Sequence, residues 1–310
     1  MNAVVEALAP VFLLVVLGWG LRRAAFVPDG FWPPAERLTY YVLFPALLVS
    51  STAKADLSEI DAFAIGGALS GTILAMSAAV LALRRAIGGG DPAFTSVFQG
   101  SVRVNTYVGL AAGASLYGGP ATAVTAVCVL AVVPLVNLVS VLVMTRFGEG
   151  GARGARAAAV GVATNPLILA VVAGAALNLA GVHRIPVATP LMDVLGAASL
   201  PLGLLAVGAG LDLPAARRGS SGLAWACALK LGVQPAVAFA LCSLAGVEGL
   251  PLAVAVLYAG LPTSASSYVM ARQMGGDAEL MAGIVTVQTL LAALTMPATL
   301  ALVAAAGVHG

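Results

Sequence analysis

Gly260-Leu261-Pro262-Thr263-Ser264-Ala265-Ser266-Ser267-Tyr268 lies inside an apolar run that extends over 250–272. That run is otherwise long enough to cross the ~30 Å hydrocarbon core of a bilayer as a helix. Pro262 has no amide hydrogen and cannot continue the helical ladder, while Gly260 lowers the cost of bending beside it. Amides and carbonyls freed at such an interruption can meet a ligand at mid-membrane, and half-helix N-termini there favour an anion. A second interruption, Arg103-Val104-Asn105-Thr106-Tyr107, sits near the middle of the run 93–117. Either one alone reads equally as a kink patched by hydroxyl side chains; two at corresponding places are harder to ascribe to packing.

Composition supports a lipid solvent. The chain has 310 residues, 60% hydrophobic and only 9% charged, and a mean hydropathy of +1.02. A water-facing surface needs roughly 25% charged residues. The 36 glycines imply closely packed helices, because small residues let backbones approach. A net charge of +2 leaves no cationic patch for nucleic acid. Cys128, Cys227 and Cys242 all fall in apolar runs and read as small core residues. Glu6 and the lack of Lys or Arg before the run Ala7–Leu21, with Arg22 and Arg23 after it, indicate a first membrane helix rather than a cleavable leader.

Apolar runs recur at 3–21, 36–53, 61–83, 93–117, 120–145, 158–180, 189–211, 222–245, 250–272 and 279–306, predicting ten spans. Their continuity argues against an alternating β-barrel pattern. Placing the N-terminus outside puts eleven arginines in the inner loops (Arg22, Arg23, Arg37, Arg84, Arg85, Arg146, Arg153, Arg156, Arg217, Arg218 and Arg272) and only Lys54 and Arg184 outside. This bias orients the chain in a plasma (cytoplasmic) membrane with both ends external.

Sliding the chain on itself by 156 residues aligns Pro10–Leu21 with Pro166–Leu177, six of twelve positions being identical. The same offset takes Pro45 to Pro201, and one residue more takes Thr106 to Thr263. The expectation is an all-α integral membrane protein of two five-helix repeats, 1–147 and 158–310, joined by a short cytoplasmic linker at 148–157. An odd number of crossings inverts the second repeat relative to the first. The interrupted spans 4 and 9 then cross at the midplane.

At these residues the chain resembles the auxin efflux carrier family, which includes plant auxin transporters and bacterial malonate and malate permeases. The stretches that carry the resemblance include Leu17-Gly18-Trp19-Gly20-Leu21-Arg22-Arg23, Tyr41-Val42-Leu43-Phe44-Pro45, Arg103-Val104-Asn105-Thr106-Tyr107, Thr164-Asn165-Pro166, Leu200-Pro201-Leu202-Gly203, Leu261-Pro262-Thr263-Ser264 and Val287-Gln288-Thr289. The resemblance implies the fold shared with bile acid/sodium symporters: spans 1, 2, 6 and 7 as scaffold, spans 3–5 and 8–10 as transport domain, and an X-shaped crossover at the substrate site. It implies Asn105, Pro262, Thr263 and Ser264 as site residues. The long central loop of the plant members is absent.

The remaining candidates are charged or polar residues inside spans. A charge at the bilayer centre costs about 2.5–3.5 kcal/mol on insertion scales, so Arg103 faces the bundle or an aqueous cavity. It serves either as counter-ion to a carboxylate or as a tie to carbonyls of the unwound segment. Lys230 either snorkels to the inner interface or is a fixed positive charge where sodium-coupled relatives hold a cation. Asp193 and Asp61 read as helix-start carboxylates or as proton carriers, and Asp56 and Glu59 as a solvated acidic cap. Tyr107, Tyr268, Gln288 and Thr289 can approach the crossover or bond to neighbouring helices. Asn165 reads as a helix cap.

No His/Cys/Asp spacing fits a metal, His183 and His309 lie in a loop and a terminus, and Ser264, Ser266 and Ser267 have no His partner. Neither a cofactor nor catalysis is therefore expected. The resulting expectation is a secondary permease for a small organic anion, a mono- or dicarboxylate, working by an elevator-type movement. Arg103, Asn105, Thr106, Tyr107, Pro262, Thr263, Ser264, Tyr268 and Gln288 would bind the substrate, and Lys230, Asp61 and Asp193 are candidates for coupling. Expected partners are the anion and the bilayer, with homodimerisation through scaffold helices. The rivals are a sodium-coupled symporter of the bile-acid type and a membrane sensor that binds without translocating.

Overall fold

The computed structural model describes residues 2–54, 61–148 and 164–305, and every regular element among them is helical. In chain order these are α1 (Asn2–Arg23), α2 (Trp32–Leu38), α3 (Phe44–Lys54), α4 (Ala62–Ala82), α5 (Arg84–Ile87), α6 (Gly90–Val102), α7 (Thr106–Tyr117) and α8 (Gly119–Phe147). There follow α9 (Pro166–Leu179), α10 (Ala188–Ala209), α11 (Leu213–Arg217), α12 (Ser221–Cys227), α13 (Gln234–Leu244), α14 (Gly249–Ala259), α15 (Ser266–Met274) and α16 (Ala278–Ala305). Among the described residues six rods are long and apolar enough to cross a membrane: α1, α4, α8, α10, α16 and the continuous Ser221–Leu244. The protein is thus all-α and embedded in a membrane through several passes. Asp56, Glu59, Arg153, Arg156 and His309 lie outside the described residues, as do the first residues of the run 158–180 and most of the linker.

Two rods contain a widened π turn, and proline explains both. Thr39–Leu43 joins α2 to α3 just before Pro45, and Ala228–Val233 joins α12 to α13 just before Pro235. A proline ring collides with the carbonyl four residues back and offers it no N–H. Expanding the turn relieves the clash without ending the helix: Phe44 N–H reaches back to Thr39 O, and Gln234 N–H to Leu229 O. Tyr40 and Tyr41 sit on one of these turns and Lys230 on the other.

One group of helices is locked through glycines. A Cβ on Gly18 of α1 would lie 2.0 Å from Leu205 O, and one on Gly208 of α10 would lie 1.8 Å from Val15 O. The two backbones therefore touch directly. On the other side of the group, Gly174 of α9 would bring a Cβ to 2.9 Å from Val49 O of α3. Residues 18 and 174, and likewise 49 and 205, are separated by the same 156 positions found in the sequence comparison. The main apolar core runs from Leu8, Val11 and Val15 of α1 through Phe44 and Leu48 to Val108 of α7 and Leu252–Tyr258 of α14. A second cluster around Phe94, Phe98, Met281 and Ile284 packs α6 against α16.

Candidate functional site

Both polar interruptions are breaks in the helical backbone. α6 ends at Val102, Arg103 turns extended (φ −75°, ψ 156°), and α7 starts at Thr106. α14 ends at Ala259 and α15 starts at Ser266, with Pro262 between them. The breaks meet: the Asn105 N–H donates to Pro262 O at 2.8 Å. Asn105 caps α7, its Oδ1 accepting from the Tyr107 and Val108 amides at 3.2 and 3.4 Å. An asparagine at this position satisfies amides that would otherwise be orphaned. Its Nδ2 then makes no hydrogen bond among the described residues. Ser264 supports the start of α15, its Oγ accepting from Ser266 N–H at 3.2 Å.

A cavity of about 710 Å³ opens at these helix starts, and Arg103, Asn105, Thr106, Tyr107, Ser264 and Ser266 line it. Arg103 is 7% exposed. Its Nη2 donates to Ser266 Oγ at 3.0 Å and its Nη1 approaches Met270 Sδ at 3.5 Å. Among the described residues it forms no ion pair with a carboxylate, and no backbone carbonyl accepts from it. A guanidinium has five N–H donors, and a hydroxyl and a thioether leave most of them for something else. The N-termini of α7 and α15 add their partial positive charge from two directions. Chemically, the site can hold an anion.

Other expected site residues serve the frame of the break. Thr263 is fully buried, its N–H donating to Gln288 Oε1 at 2.9 Å and its Oγ1 lying 3.1 Å from Ser267 Oγ. Gln288 is also fully buried, and its Nε2 donates to Gly100 O and Ala226 O at 2.9 and 3.0 Å. With both ends of the amide engaged, Gln288 ties the second break to α6 and α12 rather than facing the cavity. Thr289 back-bonds to Val285 O within its own helix. Pro262 touches the first break through its carbonyl and does not line the cavity. Tyr268 packs into the second apolar cluster, with the Arg272 guanidinium 5.9 Å from its ring centre.

The three coupling candidates are also away from the cavity. Asp61 caps α4 through Ala64 N–H at 2.8 Å. Asp193 lies beyond the first turn of α10, not at its start, and pairs with Lys54 Nζ at 2.6 Å while accepting from Ser50 Oγ at 2.5 Å. Lys230 does not snorkel. It is fully buried, donating at 2.9 Å to Gln234 Oε1 and at 2.9 Å to Ala259 O. The π turn directs its stem inward, towards the end of α14, where an unpaired carbonyl accepts it.

Several cavity residues are not among those the sequence assigns to the site. Tyr40, Tyr41, Glu36, Asn137 and Gln273 all line it, and so does Asn165, whose Oδ1 also caps α9 at Leu167 N–H, 3.0 Å away. The signals available were Pro45 just after the two tyrosines and a lone asparagine, Asn137, in an apolar run. Tyr107 stacks on Phe44, with ring centres 4.5 Å apart, and so holds one wall in place. Among the described residues no three His, Cys, Asp or Glu side chains are grouped to hold a metal.

No curated protein sequence matches the chain. The sequence model of the family described as "Membrane transport protein" matches residues 155–300, which include the second break, Lys230 and Gln288. That match supports the resemblance to the auxin efflux carrier family, a family of membrane transporters.

Proposed function

We propose that this protein is a secondary permease for a small organic anion bearing a carboxylate. The observation that carries this reading is Arg103: a nearly buried guanidinium without a carboxylate partner among the described residues, on a cavity that two helix N-termini also face. A carboxylate entering there meets bidentate donors from Arg103 and the free Nδ2 of Asn105, while Thr106, Tyr107 and Ser264 orient its body. Two further features support ten spans in two inverted halves. The contact of Asn105 with Pro262 joins positions related by the repeat, and the two glycine contacts share its offset. Such a pair of halves moves the crossover-bearing helices against the scaffold in an elevator-type cycle. The cavity walls include Pro33, Arg37, Val141 and Met274, residues near the arginine-rich loops. With those loops inside, the cavity faces the cytoplasm.

The test is uptake of radiolabelled malonate and of monocarboxylates of graded size into proteoliposomes. Loss of one charged donor pair costs about 1.5–3 kcal/mol, so Arg103→Gln should weaken anion affinity roughly 10- to 100-fold. Neutral analogues should bind the variant as they bind the parent. Equal loss for both classes would remove Arg103 from anion recognition. Binding of an anion without counterflow would leave a sensor and exclude the permease.

A further inference from the structure

Lys230 is the second cation buried among these helices, and the anion site does not use it. It lies on the π turn Ala228–Val233, is fully buried, and meets two oxygens: the side-chain carbonyl of Gln234 and the backbone carbonyl of Ala259. Ala259 is the last residue of α14, immediately before the break. A helix C-terminus carries partial negative charge and carbonyls without intrahelical partners, so it attracts a cation as an N-terminus attracts an anion. Among the described residues no carboxylate pairs with the ammonium. Its ligands are thus neutral oxygens from a helix end and an amide, the donor type that also coordinates an alkali ion in place of its water shell.

We propose that Lys230 is a tethered cation, its ammonium occupying a monovalent-cation site at the end of α14. The ion comes from within the chain, so the break keeps its charge balance without taking an inorganic cation from solution. The site becomes a genuine alkali-ion site only when the side chain is removed. Lys230→Ala leaves the two oxygens and the C-terminal dipole facing a void that a small cation and water can fill. Lys230→Met fills the same void with an uncharged chain of similar length and leaves no room for the ion. This inference is independent of the anion assignment, because its readout is a response to cations.

The experiment measures thermal unfolding of the full chain in detergent, in sodium, lithium, potassium or choline chloride at equal ionic strength, alongside binding of radioactive sodium. The parent protein should unfold at one temperature in all four salts and bind no sodium. Lys230→Ala should unfold lower in choline, and one of the three alkali ions should raise its Tm by about 5 °C at saturation. Lys230→Met should show no such recovery. The proposal is overturned by cation-specific stabilisation of the parent, or by recovery of Lys230→Met equal to that of the alanine variant. It is equally overturned by a Lys230→Ala protein that is indifferent to the cation, whether folded or unfolded.

Discussion

On the proposed reading, Asn105 has two separable tasks at the residue scale, one to its own helix and one to the cavity. Its Oδ1 caps α7, and its Nδ2 is left for a ligand. Aspartate caps a helix start as well as asparagine does, but replaces the amide donor with an acceptor. Asn105→Asp should therefore keep the parent's thermal stability and lose anion uptake. Asn105→Ala should lose uptake and also about 1 kcal/mol of stability, the usual value of a cap. Circular-dichroism melts paired with proteoliposome flux separate the two. Uptake by Asn105→Asp at the parent's rate would place the amide outside the binding site. Gln288 offers the opposite case, a polar residue that only holds the frame. Gln288→Met strands the Thr263 amide and the Gly100 and Ala226 carbonyls, which at ~1 kcal/mol or more each should lower stability by about 3 kcal/mol. An unchanged melting temperature would contradict the bracing role.

The elements show where the sequence was legible. Apart from the two breaks and a few end residues, the described parts of the apolar runs are helical, because hydrocarbon admits no lone backbone polar group and length then selects spans. The breaks at Arg103–Asn105 and Leu261–Ala265 were also legible, since proline and polar side chains at mid-span have few other outcomes. The glycine contacts were not. Gly18 and Gly20 are neighbours in the same helix, yet a Cβ on Gly18 would strike Leu205 O while one on Gly20 meets nothing within 4 Å. Composition cannot tell which glycine faces a partner. Gly18→Ala should accordingly separate α1 from α10 and lower Tm by several degrees. Gly20→Ala should be neutral or slightly stabilising, as alanine favours helix by about 1 kcal/mol over glycine. A matched pair of melts decides it, and equal effects would contradict the contact. The placement of Lys230 was hidden for a similar reason: depth along a rod was readable, but the turn that Pro235 widens rotates the side chain inward.

For the whole molecule, the proposed function requires water to reach the middle of a protein whose outer surface is largely apolar. Tyr40, Tyr41 and Asn137 come to the cavity from elements far apart in sequence, so no local pattern announced them. Arg103 and Asn105 were legible because an unpaired charge or amide in a span needs a reason. The central claim is that the two breaks border an aqueous pocket open on the side of the arginine-rich loops. Cysteine accessibility tests it most directly. Cys128, Cys227 and Cys242 would first be replaced, and single cysteines then introduced at Ser264 beside the break and at Leu294, which is 72% exposed on the apolar face of α16. In inside-out vesicles a membrane-impermeant thiol reagent should label Ser264→Cys quickly, label Leu294→Cys hardly at all, and be slowed at Ser264→Cys by a transported carboxylate. Labelling at Ser264→Cys as slow as at Leu294→Cys would contradict the account.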